Sequence, residues 1–221
     1  MKLLFNALTK FICGIALVAA LIFLPAGTLN YIDGWIFMGV LFVPIFILGI
    51  VLLAKSPELL QKRLDGKEKE NTQKGVVAFS GLVFFGGFIV AGLDFRFGWS
   101  SMHFIVKIAA IAIFLTSYAL YAEVMRENAY LSRTIEVQEN QKVIDTGLYG
   151  IVRHPMYAAT IIMFLSIPLI LGSWFAFTIF LAYPIIIAVR IANEEKVLTE
   201  QLDGYKEYKQ KVKYRIIPFI W

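Results

Sequence analysis

Met156–Val189 reads MYAATIIMFLSIPLILGSWFAFTIFLAYPIIIAV and contains no charged side chain. Gly172-Ser173 divides it into two apolar runs, Met156–Leu171 and Trp174–Val189. Runs of roughly 16–20 apolar residues suit helices crossing a hydrocarbon layer about 30 Å thick. Backbone amides have no water partner inside lipid, so an isolated apolar run there folds as a helix. The two-residue link therefore predicts a helical hairpin whose outer ends, near Met156 and Val189, return to the same side. Pro168 and Pro184 fall inside these helices, where neighbouring helices can satisfy the freed backbone groups.

Four further runs precede the hairpin: Phe11–Leu29, Trp35–Ala54, Gly75–Leu93 and Met102–Ala122. The expected fold is an all-α integral membrane protein of about six transmembrane helices with a C-terminal helical hairpin. Composition agrees, since 59% of the 221 residues are hydrophobic and 17% charged, with a mean hydropathy of +0.71. Six spans of about 20 residues use more than half the chain. No separate soluble catalytic domain fits, so any site must be built from helix ends and short loops. Residues 1–75 read as an N-terminal membrane hairpin with an amphipathic loop, where Leu59, Leu60 and Leu64 mark the apolar face. Residues 76–221 read as a second unit holding the remaining spans. Lys2, Lys10 and the small residues Ala26-Gly27 around the first run also fit a cleavable signal peptide. The length of that run and the spans that follow favour a retained helix.

The formal net charge of +5 sits in blocks flanking the apolar runs, which is a topology signal rather than a nucleic-acid surface. With the N-terminus in the cytoplasm, all but Arg96 and Lys107 of the 21 Lys and Arg residues fall on cytoplasmic segments. This predicts a multi-pass protein with both termini cytoplasmic. Lys107 is expected to snorkel outward, and the spans otherwise carry almost no ionisable groups that could line a transport pathway. Cys13 is the sole cysteine, and no zinc-type cluster of ligands occurs, so no metal site is expected.

Two polar stretches stand out. Val143–Tyr157, VIDTGLYGIVRHPMY, brings two glycines, two tyrosines, an arginine, a histidine and a proline to the mouth of the fifth span. Gly147 and Gly150 permit sharp turns and close ligand approach. Pro155 suits a first helical turn, placing His154 at a helix N-terminus. Arg190-Ile-Ala-Asn-Glu194-Glu195 ends the sixth span, with Arg190 and Glu194 on one helical face. An interfacial loop with belt tyrosines and an ordinary i,i+4 ion pair would explain each stretch separately. The short hairpin link lets the two stretches meet.

As a set, the Gly147-x-Tyr149 turn, Arg153-His154-Pro155-x-Tyr157, Glu194-Glu195, and Tyr205-x-x-Tyr208 leading to Arg215 and Pro218 resemble the isoprenylcysteine carboxyl methyltransferase family and its relatives, the membrane phospholipid methyltransferases. The resemblance spans about Asn128–Pro218. It implies S-adenosyl-L-methionine as cofactor, held in a pocket at the cytoplasmic face. Gln138, Gln141, Lys142, Val143 and Ile144 would line that pocket. Tyr149, His154, Pro155, Met156 and Tyr157 would contact the cofactor, and Glu194 would hold one of its polar groups. Arg190 matches an arginine facing the methyl acceptor. The Gln138–Lys142 loop is shorter than in the eukaryotic enzymes.

A sulfonium methyl is already activated, so transfer asks for an in-line nucleophile and exclusion of water more than for a strong base. A lipophilic small molecule or lipidated substrate with a carboxylate or thiol is the expected acceptor, with membrane lipids as surroundings. A phospholipid amine would need a base to stay neutral, and none stands out. Phospholipid amine N-methyltransferase stays one alternative, and a sterol-reductase-like enzyme using NADPH, similar in its His-Pro-x-Tyr and terminal tyrosine signatures, is the other enzymatic one. A small transporter or assembly subunit is the non-enzymatic one.

Overall fold

A computed structural model describes residues 2–64, 71–132, 134–135 and 137–221, with residues 71 and 72 described by backbone alone. Lys67, Lys69 and Arg133, which enter the charge pattern above, lie outside the described residues. The helices are α1 (Lys2–Ala26), α2 (Ile32–Lys55), α3 (Pro57–Leu64), α4 (Asn71–Phe97), α5 (Phe104–Glu127), α6 (Pro155–Ile170), α7 (Trp174–Phe180), α8 (Ala182–Gln201) and α9 (Tyr205–Lys211), with a 3-10 turn at Gly147–Gly150. Among the described residues there are no strands. The chain is an all-α, multi-pass membrane protein.

Among the described residues, five stretches are long and apolar enough to cross a membrane: α1, α2, Gln73–Phe97 of α4, α5, and Trp174–Gln201, which takes in α7 and α8. The sixth expected span, α6, is apolar but has only 16 residues. At 1.5 Å per residue it reaches about 24 Å, short of the hydrocarbon thickness. It is also well enclosed, with Tyr157, Ala159, Thr160, Met163, Ile167 and Ile170 all buried. Its polar ends therefore meet protein, and full span length is not required of it.

The α7–α8 stretch is interrupted at Leu181. Pro184 explains the break: its ring cannot donate to the carbonyl of Phe180 and would collide with it in a continuous helix. Restarting at Ala182 puts Pro184 in a first turn, where the missing N–H is harmless.

Glycines allow the long helices to approach closely. A Cβ on Gly92 would stand 2.4 Å from the backbone oxygen of Ile22, so α4 meets α1 at van der Waals contact there. A Cβ on Gly87 would stand 2.3 Å from the Phe180 ring. Around these contacts Ile22, Phe37, Phe88, Phe114, Ile167 and Phe180 form the main core. Small residues at such crossings are how helices pack in lipid, where no hydrophobic force drives them together.

The ends opposite the cleft described below are latched by polar groups. The Tyr31 hydroxyl donates to the backbone oxygen of Leu171. Buried Asp94 accepts from Ser100 N at 2.7 Å, Ser100 Oγ at 2.6 Å and Ser173 Oγ at 2.5 Å. Ser173 Oγ in turn caps α7 by accepting from Ala176 N at 3.0 Å. Lys107 does not snorkel freely; it pairs with Asp33 at 2.5 Å, since α2 brings a carboxylate within its reach. At the other end, Lys10 reaches the backbone oxygen of Leu64 and ties α3 to α1.

Candidate active site

The connection from α5 to α6 is shaped by its own side chains. Asn128 Oδ1 accepts from Tyr130 N at 2.9 Å, turning the chain as it leaves α5. Gly147 takes φ +53°, and a Cβ there would fall 1.7 Å from Glu127 Oε1. That space is used: the Glu127 carboxylate accepts from Leu148 N at 3.0 Å. The resulting 3-10 turn buries Tyr149, whose hydroxyl accepts from Asn128 Nδ2 at 3.0 Å and whose carbonyl accepts from the Tyr208 hydroxyl at 2.7 Å.

Arg153 and His154 follow, and their backbone amides donate to the carbonyls of Tyr214 and Arg215 at 2.9 and 2.8 Å. The C-terminal tail is thereby bound to the entrance of α6. Pro155 takes the first helical position behind the N-cap residue His154. Glu195 on α8 joins these elements. Its buried carboxylate accepts from Arg153 Nε at 2.7 Å, His154 Nε2 at 3.2 Å and Arg215 Nε at 3.1 Å. Arg153 Nη1 also donates to the carbonyls of Val212 and Lys213 at 2.8 and 2.7 Å. Both oxygens of the buried Glu195 carboxylate are thus paired, as low dielectric requires.

Glu194, one residue earlier, turns elsewhere. The Tyr157 hydroxyl donates to Glu194 Oε2 at 2.5 Å and accepts from Arg190 Nε at 2.8 Å. A phenol from α6 thus links Arg190 and Glu194. The two polar stretches, Val143–Tyr157 and Arg190–Glu195, do meet.

Above this bridge lies a cleft walled by the α5–α6 connection, the ends of α6 and α8, and α9. Of the residues implicated by family resemblance, Gln141, Lys142, Val143 and Ile144 line one wall, and Tyr149, His154, Met156 and Tyr157 line the floor and side. Arg190 and Glu194 line it from α8. Two expected members stand outside. Gln138 donates Nε2 to the Tyr130 carbonyl at 2.5 Å and accepts from Lys62 Nζ at 2.6 Å, so it braces the loop against α3. Pro155 is buried at its helix start and does not border the cleft.

The cleft also recruits residues to which no role was attached: Asn128, Leu198, Leu202, Tyr205 and Tyr208 line it as well. Tyr205 and Tyr208 carried a signal in their i,i+3 spacing, but nothing in the sequence says which wall they form. Arg153 and Glu195 stood in the motif set, but the sequence assigned neither a role. Burial raises the Tyr149, Tyr205 and Tyr208 hydroxyls well above their ordinary pKa, so all three remain neutral donors at physiological pH. Among the described residues no group of three or more His, Cys, Asp or Glu could hold a metal ion.

Comparison with known proteins places these features. Delta(14)-sterol reductase of Mus musculus is 30% identical over 91 residues, which are 40% of this chain and 22% of the reductase. The chain thus spans about a fifth of that relative's length. The model of the family described as phospholipid methyltransferase matches residues 103–204, from the start of α5 through the end of α8. The segment that builds most of the cleft is accordingly the part of the chain that resembles the phospholipid methyltransferase family.

Proposed function

We propose that the chain transfers a methyl group from S-adenosylmethionine to a lipophilic acceptor, most readily one bearing a carboxylate (as in the isoprenylcysteine type) or a thiol. The observation that carries this reading is the Arg190–Tyr157–Glu194 bridge at the floor of a cleft whose wall lies in the methyltransferase-matched segment. The donor set suits the cofactor. Glu194, the Tyr149 and Tyr157 hydroxyls and Asn128 can meet its polar groups, while Val143, Ile144, Leu198 and Leu202 offer apolar surface to its nucleoside. When bound, the sulfonium supplies an already activated methyl group. The protein's work is to hold donor and acceptor in line and to exclude water.

Arg190 is suited to orient an acceptor carboxylate through charge-assisted hydrogen bonds. The acceptor would arrive from the bilayer. A broad apolar groove between α2, α3 and α5, lined by Ile47, Leu48, Val51 and Leu52, has Lys55 and Lys62 at its polar end and shares Tyr130 with the cleft. Such a groove fits a hydrocarbon tail with its head near the cleft. The basic residues gathered on the cleft side support a cytoplasmic location for it and for both termini.

The likeness to a sterol reductase supports a second reading, in which the same cleft takes NADPH. One set of measurements separates the two. Calorimetry on detergent-purified protein should show saturable binding of S-adenosylhomocysteine, and radiolabel from the methyl donor should enter a component of total membrane extract. Saturable NADPH binding with no response to S-adenosylhomocysteine would replace the first reading with the second.

A further inference from the structure

The cleft contains one polar atom whose needs the fold leaves unmet. Tyr205 opens α9 directly after Gly204, whose φ of +82° turns the chain back toward the cleft. The Tyr205 side chain is 4% exposed and borders the cleft, yet its hydroxyl oxygen is buried with no hydrogen-bond partner among the described residues. Its neighbours differ. The Tyr208 hydroxyl donates to the Tyr149 carbonyl, the Tyr149 hydroxyl accepts from Asn128, and the Tyr157 hydroxyl is bonded on both sides.

Buried hydroxyls are nearly always paired, because an unpaired one forfeits its hydration with no return. The neighbouring carboxylates bond elsewhere in this structure. Glu195 already accepts from three donors, and Glu194 is engaged by Tyr157. Both carboxylates and Arg153 nonetheless act on the Tyr205 phenol electrostatically, which places it in their company. Tyr205 borders the cleft, so a molecule seated there is the candidate partner for this oxygen. Tyr205 belongs to the motif set that carries the resemblance, but the resemblance gave it no role, and the matched segment 103–204 ends one position before it.

We propose that the Tyr205 hydroxyl is a ligand-contacting group of this cleft, hydrogen-bonding a polar group of the bound nucleoside methyl donor beside Glu194. The inference rests on the methyltransferase reading above. A phenol there adds a neutral donor to a wall otherwise set by a carboxylate, so the site can take a ligand group that both donates and accepts. It also gives α9 a task beyond packing, since closing the helix over the ligand would complete the phenol's bonding.

The test uses the full chain in detergent, as wild type and as Tyr205→Phe, which removes one oxygen and keeps the ring. Two quantities are read: S-adenosylhomocysteine affinity by calorimetry, and the thermal midpoint without ligand. The expected result is affinity weakened roughly 3- to 10-fold with a ligand-free midpoint unchanged or raised, since an unsatisfied group has been deleted. Unchanged affinity overturns the proposal. A parallel fall in affinity and ligand-free midpoint also overturns it, because the hydroxyl would then serve the protein itself. If wild type fails to bind S-adenosylhomocysteine at all, the methyl-donor reading fails and takes this inference with it.

Discussion

Glu194 and Glu195 are adjacent in α8 and bind in different directions: the first accepts from the Tyr157 hydroxyl at 2.5 Å, the second from Arg153 Nε at 2.7 Å. Successive helical residues are about 100° apart, so a neighbouring pair can serve two faces at once. Glu195 binds the C-terminal tail and the α6 entrance together, while Glu194 borders the cleft.

The two carboxylates should therefore separate on mutation. Glu195→Gln leaves buried Arg153, and the partly exposed Arg215 beside it, without their shared anion, at a cost of about 3 kcal/mol that comes mainly from Arg153. Its thermal midpoint in detergent should drop clearly. Glu194→Gln should leave the midpoint near wild type and weaken S-adenosylhomocysteine binding about tenfold. Equal losses of stability in both variants would contradict this division.

Gly92→Ala tests the helix crossing. The added methyl would meet the Ile22 carbonyl at 2.4 Å, and backbone of α1 cannot swing aside as a side-chain tip could. A loss of about 1–3 kcal/mol is expected from overpacking. Gly81→Ala is the control, since its Cβ would meet nothing within 4 Å, and it should be neutral or slightly stabilising. Thermal unfolding of the two variants side by side measures the difference.

These cases show what the sequence does and does not disclose. Apolar runs mark where helices lie, because lipid leaves the backbone no alternative, and the charge blocks mark which ends lie together. The family motif brings Tyr157, Arg190 and Glu194 to one place. What cannot be read is the direction of each side chain. Gln138 could have faced the cleft or α3, and Lys62 on a separate helix decides for α3. The role of Glu195 depends on Arg215, 20 residues further along, and on a tail whose return path has no periodic signal. The shortness of α6 was legible, since the apolar run Met156–Leu171 is as short as the helix Pro155–Ile170.

Alkaline pH should loosen the cleft. Burial raises the Tyr149, Tyr205 and Tyr208 hydroxyls above the ordinary value of 10.0. In the unfolded chain they ionise near that value, while in the folded chain they hold their protons. Unfolding therefore releases protons above pH 10, so their contribution is complete below pH 10 and shrinks as pH rises further. Thermal midpoints followed from about pH 8 to about pH 11 should decline at the upper end. Tyr205→Phe should make that decline shallower, as one of the three groups no longer titrates.

Arg190 and Tyr157 should divide binding from transfer. Arg190 Nε donates to the Tyr157 hydroxyl, and that hydroxyl donates to Glu194, so the phenol links the two charged partners. Removing the guanidinium in Arg190→Gln leaves the Tyr157–Glu194 bond in place, and S-adenosylhomocysteine affinity should stay within about twofold. Methyl incorporation into membrane extract should fall about 10- to 100-fold, because the acceptor loses the charged group that orients it. Tyr157→Phe breaks both bonds and should weaken affinity and transfer together. Radiolabel incorporation and calorimetry on the same preparations read the two effects. Should Arg190→Gln abolish cofactor binding while Tyr157→Phe spares it, the guanidinium would belong to the donor's side of the cleft and the acceptor's anchor would have to be sought elsewhere.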